Sequence, residues 1–517
     1  MLKSLGTACC IAVLSVLLLL GLPGCRSSSP VREAPAYEKS WESLQDYQCP
    51  AWFRDAKFGI YAHWGPYCVP AFPTTTDWYS HHMYQPAHAI HKYHVQTYGP
   101  VTEFGYKDLV PLFTAPRFDA DAWAELYHES GARFAGPVAE HSDGFAFWNS
   151  DLTEWDSVDK GPQRDVVAEL AKAIRSRGLK FMTSFHHHWK WGWYATPIEG
   201  ADCLDPRYED LYGPVLPETA WGRKRVGAGP DYMDITPLPD QQFSEEWLGK
   251  VKEVVDNYHP DLIWFDNRMH VIDESYRIDM AAHYYNQAAE RNQDVVLTYK
   301  REDIADGAGV IDLERSRMPD IHPEPWLTDT SIAKNSWSYC PKLEYYSAER
   351  LIHDLIDIVS KNGCMLLNIA PHPDGSIPEP QKERLRAMGA WLRENGAAIY
   401  GARPWKVFGE GPTATPQGHL SDLGFDGFVA EDIRFTQAKD GSALYLILFG
   451  WPQGDAVKVR SLTPDRGTIR TVGFLAHETP VQWRQSETGL ELNLPARPAA
   501  KHAIVLKVTG DNLTLSP

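Results

Sequence analysis

The sequence predicts an α/β fold, a (β/α)8-like barrel followed by a C-terminal all-β sandwich, and three observations carry that expectation. From about Ala51 to Tyr400, short apolar runs alternate with helix-like stretches, the signature of β/α units. One run, Leu262-Ile263-Trp264-Phe265, ends on the carboxylate Asp266. An ionised Asp at the end of a buried strand must look into a pocket, because burying it unpaired is prohibitively costly, and the strand ends of a parallel barrel are where chemistry is placed. Beyond Gly396 the pattern changes to short runs separated by turn residues, as a sandwich requires.

In chain order, residues 1–24 read as an export signal: Lys3 supplies a positive charge, Ala8 to Leu22 an apolar region, and Leu22-Pro23-Gly24-Cys25 follows. This resembles a bacterial lipoprotein signal, and its apolar run is shorter than a comfortable membrane span. Pro23 is unusual in such a motif, which leaves ordinary secretory cleavage open. The expected location is the bacterial cell envelope, lipid-anchored in the outer membrane or periplasm, or outside the cell if Cys25 carries no lipid. Membrane contact is expected only through that anchor. Residues 25–50 read as a polar tether. Cys49, Cys68, Cys203, Cys340 and Cys364 remain, an odd number that excludes a full disulfide framework and leaves room for one or two bridges.

Residues 51–400 hold seven candidate strands: Lys57 to Trp64, Arg133 to Val138, Leu179 to Phe185, Asp261 to Asp266, Asp294 to Lys300, Trp326 to Ile332 and Cys364 to Ala370. Asp119 starts a helix that Gly131 ends, and Asp165 starts another closed by Gly178, since Asp caps helix starts and Gly their ends. An amphipathic stretch covers Glu245 to Tyr258, and a helix is expected from Glu379 to Asn395. In residues 401–517 the expected strands are Ile433 to Phe435, Ala443 to Phe449, Thr468 to Phe474, Leu490 to Leu494 and Ala503 to Val508.

Composition excludes some functions. A chain of 517 residues needs two or three domains. Its formal net charge of −18 argues against nucleic acid, whose phosphates require clustered Lys and Arg. The 19 Trp and 24 Tyr include flat faces suited to stacking on sugar rings. Without a phosphate-cradling glycine motif or nucleotide fingerprint, no cofactor is expected. His186 and His188 would share one side of an extended strand, but no carboxylate or cysteine completes a metal set at a recognisable spacing, so no metal is expected either.

Polar and aromatic residues gather at several strand ends. Lys57-Phe58-Gly59-Ile60 through His63-Trp64-Gly65-Pro66-Tyr67, His141-Ser142-Asp143-Gly144-Phe145, Gly161-Pro162 with Arg164-Asp165, Asp261 to Asp266, and Ser360-Lys361-Asn362-Gly363 through Leu366-Leu367-Asn368-Ile369 resemble the α-L-fucosidases of glycoside hydrolase family 29. Asp432-Ile433-Arg434-Phe435 and Gly450-Trp451-Pro452 resemble that family's C-terminal β-sandwich. The resemblance implies hydrolysis of terminal α-L-fucosyl linkages in fucosylated oligosaccharides or polysaccharides by double displacement. It assigns Asp266 as the nucleophile; the residue-level alternative is an Asp that caps the next turn or pairs with Arg268. Glu314 is the first choice for acid/base, against a surface ion pair with Arg315 or Arg317, and Glu302 and Glu324 are fallbacks. His63, Trp64, Asp77, Trp78, His141, Ser142, His186, Trp264 and Lys300 are expected around the sugar, with packing as the alternative role for Trp64 and Trp264.

Three departures from the family bear on specificity. Ser142 stands where a second histidine is common, Asp77 where a glutamate is common, and Phe185-His186-His187-His188-Trp189 where a tyrosine-rich strand end is usual, with Lys300-Arg301 near the usual arginine. Two alternatives follow: a catalytically silent surface lipoprotein binding fucosylated or sulfated glycan, and a glycosidase for a related sugar such as α-L-galactose.

Overall fold

The computed structural model describes residues 37–217, 220, 235–452, 454–495 and 502–514. The export signal, Cys25 and the first part of the expected tether lie outside these residues. The described part of that segment is packed: Trp41–Leu44 is helical, the Tyr37 backbone exchanges two hydrogen bonds with the Asn286 side chain, and Tyr47 stacks on Tyr285 at 5.0 Å. Residues 37–50 are therefore part of the barrel's outer surface rather than a free tether.

Eight parallel strands follow: Phe58–Ala62 (β1), Phe134–Glu140 (β2), Lys180–Phe185 (β3), Leu262–Phe265 (β4), Val296–Tyr299 (β5), Val310–Ile311 (β6), Trp326–Ser331 (β7) and Gly363–Ile369 (β8). Their order, β6-β5-β4-β3-β2-β1-β8-β7, leaves β6 and β7 as the two ends of the sheet. The ends meet at a single bridge, Asp312 to Leu327. Two further hydrogen bonds cross this seam, from Leu313 N to Leu327 O (3.0 Å) and from Arg315 N to Asp329 O (2.8 Å). The barrel is thus nearly closed, and its weakest joint lies beside Glu314.

Local chemistry accounts for the elements around the site. Asp119 and Asp165 accept hydrogen bonds from the Ala122 and Ala168 N–H groups and start their helices, and Gly131 (φ 88°) and Gly178 (φ 72°) follow their ends in the left-handed region. A bulge between Val138 and Glu140 interrupts the pairing of β2 with β3. It re-aims the residues that follow, sending Glu140 behind the barrel to His187 and Lys250 while His141 enters the pocket. Gly136 is required in β2, because a Cβ there would lie 1.6 Å from the Met182 carbonyl oxygen.

The C-terminal domain consists of Arg403–Glu410 (β9), Ile433–Gln437 (β10), Leu444–Leu448 (β11), Ala456–Val459 (β12), Thr468–Phe474 (β13), Gln482–Ser486 (β14), Gly489–Asn493 (β15) and Ile504–Asp511 (β16). They form antiparallel sheets of five and three strands around a separate apolar core. A buried ionic cluster rivets the domain to the barrel: Asp357 bonds Arg434 at 2.7 Å and Lys361 at 3.0 Å, while Arg317 reaches Asp354 at 3.1 Å and Asp422 at 2.5 Å. The five described cysteines are all free thiols, so the one or two bridges allowed by the sequence are not formed among them. No helix among the described residues is long and apolar enough to cross a membrane.

Candidate active site

Every strand of the barrel places a residue at one end, around a cavity of about 620 Å3. Tyr61 and His63 come from β1, His141 from β2, His186 from β3, Trp264 and Asp266 from β4, Lys300 from β5, Asp312 and Glu314 from just beyond β6, Asp329 from β7 and Asn368 from β8.

The chemical centre is one ammonium among four carboxylates. Lys300 Nζ lies 3.0 Å from Glu314, 3.2 Å from Asp329, and 3.5 Å from both Asp266 and Asp312. It also sits 4.7 Å above the Trp264 ring. Trp264 Nε1 donates to Asp312 at 3.1 Å, Tyr61 OH to Asp329 at 3.1 Å, and Asn267 Nδ2 to Glu314 at 3.3 Å. Four ionised carboxylates against one cation would bury a large net negative charge, so the cluster must carry protons. Burial, then the neighbouring Asp329, pushes Asp312 far above the carboxylate range. Burial and the charge of Glu314 raise Asp266 to about 7 despite Lys300. Burial also acts to raise Glu314, but Lys300, His419 and Arg315 outweigh it and hold that group below its ordinary value.

Opposite the carboxylates lies an imidazole wall. His63 Nδ1 donates to Asn368 Oδ1 at 2.8 Å, and the Asn368 amide is itself fixed by donating to Ser331 Oγ and the Trp337 carbonyl. This leaves His63 Nε2 as an acceptor facing the cavity. The His141 and His186 rings are 4.5 Å apart, and each Nδ1 lacks a partner. Burial disfavours the charged form of all three histidines. Their nitrogens lie within 4.8 Å of one another, so the wall presents neutral imidazoles suited to sugar hydroxyls or, by donor type, to a metal ion. Asp77, held by Thr75 and Ser336, Trp78 and Trp337 complete the lining.

Of the expected site residues, Asp266, Glu314, His63, Asp77, Trp78, His141, His186 and Trp264 line this one cavity, and Lys300 lies beneath them. Trp64 does not. Consecutive strand residues face opposite ways, so Trp64 packs among Phe113, Phe118, Trp123 and Phe147 with ring separations of 4.7–5.6 Å and donates to the His372 carbonyl. Ser142 is also buried away from the cavity, and the imidazole beside His141 comes from His186. The fallback acids Glu302 and Glu324 are exposed and line no part of the cavity. Asp266 meets Lys300 in place of the suggested Arg268, whose guanidinium lies over Trp189. His186 and His188 are not brought together, because a 3-10 turn over His187–Lys190 sends His188 to the Asn267 carbonyl.

Sequence reasoning missed Asp312, Asp329, Tyr61, Asn267, Trp337 and His419. Asp329 had a signal, a carboxylate within an otherwise buried run. His419, 3.9 Å from Glu314, comes with Leu420 and Leu423 from the segment after β9, which folds back over the barrel mouth; nothing local in the sequence marks it.

Facing carboxylates at barrel strand ends, walled by indoles and imidazoles, define the class of protein: a glycoside hydrolase. The family model for alpha-L-fucosidase matches residues 25–397, and that for the alpha-L-fucosidase C-terminal domain matches residues 426–509. The chain belongs to the α-L-fucosidases, glycoside hydrolase family 29. It is 30% identical to human plasma alpha-L-fucosidase over 485 residues, with 90% of each chain covered, and 29% identical to bovine tissue alpha-L-fucosidase over 514 residues, covering 96% of this chain and 97% of the relative. Among solved structures, Thermotoga maritima alpha-fucosidase in complex with a mechanism-based inhibitor superposes with a TM-score of 0.71 at 29% identity, covering 92% of this chain and 100% of the other.

Proposed function

We propose that the protein is an exported, retaining exo-glycosidase that releases terminal α-L-fucosyl residues from glycans by double displacement. The observation that carries this is the shared ammonium: with Lys300 Nζ 3.5 Å from Asp266 and 3.0 Å from Glu314, the bonded oxygens are held close together. That suits the roughly 5–5.5 Å separation of retaining enzymes rather than the wider gap that admits a water for inversion. The fucosyl preference rests on the family relatives, and export rests on the N-terminal signal, with Cys25 the proposed site of lipid attachment.

In the mechanism, Asp266 attacks the anomeric carbon while Glu314 protonates the departing glycosidic oxygen, and water then reverses the exchange. Below about pH 7 the pair holds one proton, which leans toward Asp266 in the free enzyme. The developing oxocarbenium charge favours ionised Asp266, shifting the proton to Glu314 where the leaving group needs it. The imidazole wall orients the sugar hydroxyls, and the buried aromatics exclude competing water. Retention of both carboxylates in one cluster favours this reading over a silent binder.

The test is Asp266→Ala. Turnover should fall by several orders of magnitude and recover in part with azide or formate, giving an inverted product, while wild type releases α-L-fucose first as followed by NMR. First release of the β-anomer by wild type would refute the retaining assignment.

A further inference from the structure

On the proposed fucosidase reading, which this inference deepens, we infer that the cavity contains an anion subsite, built by Arg315, Lys334 and Arg301, that receives a sulfate ester or carboxylate carried by the glycan. All three cations line the cavity that holds Asp266 and Glu314. Among the described residues, none of the three has a carboxylate within ion-pairing distance, although Arg317, two residues from Arg315, is paired with three. Cations without a carboxylate partner on the wall of one cavity are conspicuous in a chain with net charge −18, and a charged group lining a low-dielectric cleft acts strongly on a ligand that enters it.

Arg315 is the built element. It is 2% exposed, stacks 4.4 Å over Trp337, and donates from Nη2 to the Ala333 carbonyl at 3.0 Å, which fixes its plane. Its Nη1 has no partner, and neither has the nearby hydroxyl of Tyr346. Buried donors are normally satisfied, and the neighbouring carboxylate whose charge Arg315 does feel, Glu314, is beyond ion-pairing distance and already bonded to Lys300. Lys334 Nζ lies 5.6 Å over the same Tyr346 ring, so two cations and a hydroxyl converge on one region. Sulfate and carboxylate share what this region lacks, several acceptor oxygens with a negative charge, and a guanidinium fork matches both. The four carboxylates around Lys300 do not serve this purpose, since they are committed to that ammonium.

A merely structural Arg315 would pin the Ala333 carbonyl and the Trp337 ring and would affect neutral and anionic ligands equally. The ratio between them separates the two roles. Inhibition of aryl α-L-fucoside hydrolysis is measured with L-fucose and with its 2-, 3- and 4-O-sulfates, and kcat/KM is compared for fucose linked to galactose and to galacturonic acid. At least one anionic member should bind or react about tenfold or more better than its neutral counterpart, with the preference shrinking in added salt. Arg315→Gln should bring that ratio close to one. Lys334→Ala, at an exposed position where folding is not at issue, should lower it several-fold. A preference among the sulfates alone identifies the ester as the ligand, and one for the uronide alone identifies the carboxylate. No anion preference in wild type, or a preference unchanged in both variants, overturns the subsite. Failure of wild type to hydrolyse the aryl fucoside would overturn the underlying fucosidase reading instead.

Discussion

Replacing Lys300 by Met removes the one cation shared by Asp266 and Glu314 while keeping most of the volume of its apolar stem. At the observed 3.0 and 3.5 Å, an effective dielectric of about 20 gives an attraction of roughly 5 kcal/mol for each carboxylate. Asp312 already carries its proton, and loss of the counter-charge favours further protonation within the cluster, which offsets much of that energy; shifts of about 1–3 pH units are expected for Asp266 and Glu314. The sign is fixed: Lys300 lowers both carboxyl groups, so its loss raises both. The alkaline limb of kcat/KM, set in wild type near the raised Asp266 value of about 7, moves to higher pH, and the acid limb follows. Lys300→Arg keeps the charge and should restore much of the wild-type profile. The assay is the pH dependence of kcat/KM on an aryl α-L-fucoside, with thermal denaturation as a control for folding. The variant's loss of stability should grow as pH rises, because its carboxylates then ionise without a partner. An alkaline limb that stays in place in a folded Lys300→Met protein would refute the idea that this ammonium sets the protonation of the pair.

Glu314→Ala should slow hydrolysis of natural glycosides far more than of substrates with good leaving groups, since only poor leaving groups need protonation; equal losses on both would remove it from the acid role. Ser142→His should destabilise the protein by about 1–3 kcal/mol, because the position is buried and His186 already provides the second imidazole; a stable variant with altered sugar preference would show that Ser142 reaches the cavity after all. Behind the barrel, burial would raise Glu140, but His187 and Lys250 outweigh it and lower this carboxyl to about 2. Its stabilisation is present above the unfolded carboxyl value and lost as pH falls through about 2. Glu140→Gln should therefore cost about 3–5 kcal/mol at neutral pH, a deficit that shrinks in acid; equal deficits at both pH values in urea unfolding would contradict the ionic account.

Seven of the eight barrel strands were legible because each is a buried run of at least four residues bounded by a helix cap or a turn. The eighth, Val310–Ile311, is two residues long, too short for any periodicity, and its brevity also hid Asp312 as a site residue. In the second domain, Arg403–Glu410, Ala456–Val459 and Gln482–Ser486 escaped notice because their burial is mixed or slight, which leaves no clean alternation. Strand-end physics points Asp266 toward a pocket but leaves turn capping or pairing with Arg268 open, and family resemblance assigns it as the nucleophile. Glu314 came from family resemblance, since a loop glutamate beside two arginines looks like a surface ion pair. Family resemblance places Trp64 at the sugar with packing as the alternative, and packing is the role the geometry gives it, because His63 faces inward and Trp64 outward. Ser142 was misplaced because motif alignment compares positions along a chain, whereas the second imidazole arrives from another strand.

The segment that returns over the barrel after β9 also constrains how such a protein can be recombined. Leu420 N–H and Asp422 N–H bond to the carbonyl oxygens of Glu314 and Arg315, and Asp422 anchors Arg317. By chain order residues 411–427 belong to the second domain, yet they brace the backbone that presents Glu314. A chimera joined at the apparent boundary near residue 401 would exchange this brace along with the sandwich and place a foreign surface against Glu314. A crossover after Asp432 would preserve it. The workable unit of inheritance for the barrel module thus extends about thirty residues past the apparent boundary near residue 401, and the sandwich is exchangeable only beyond that point.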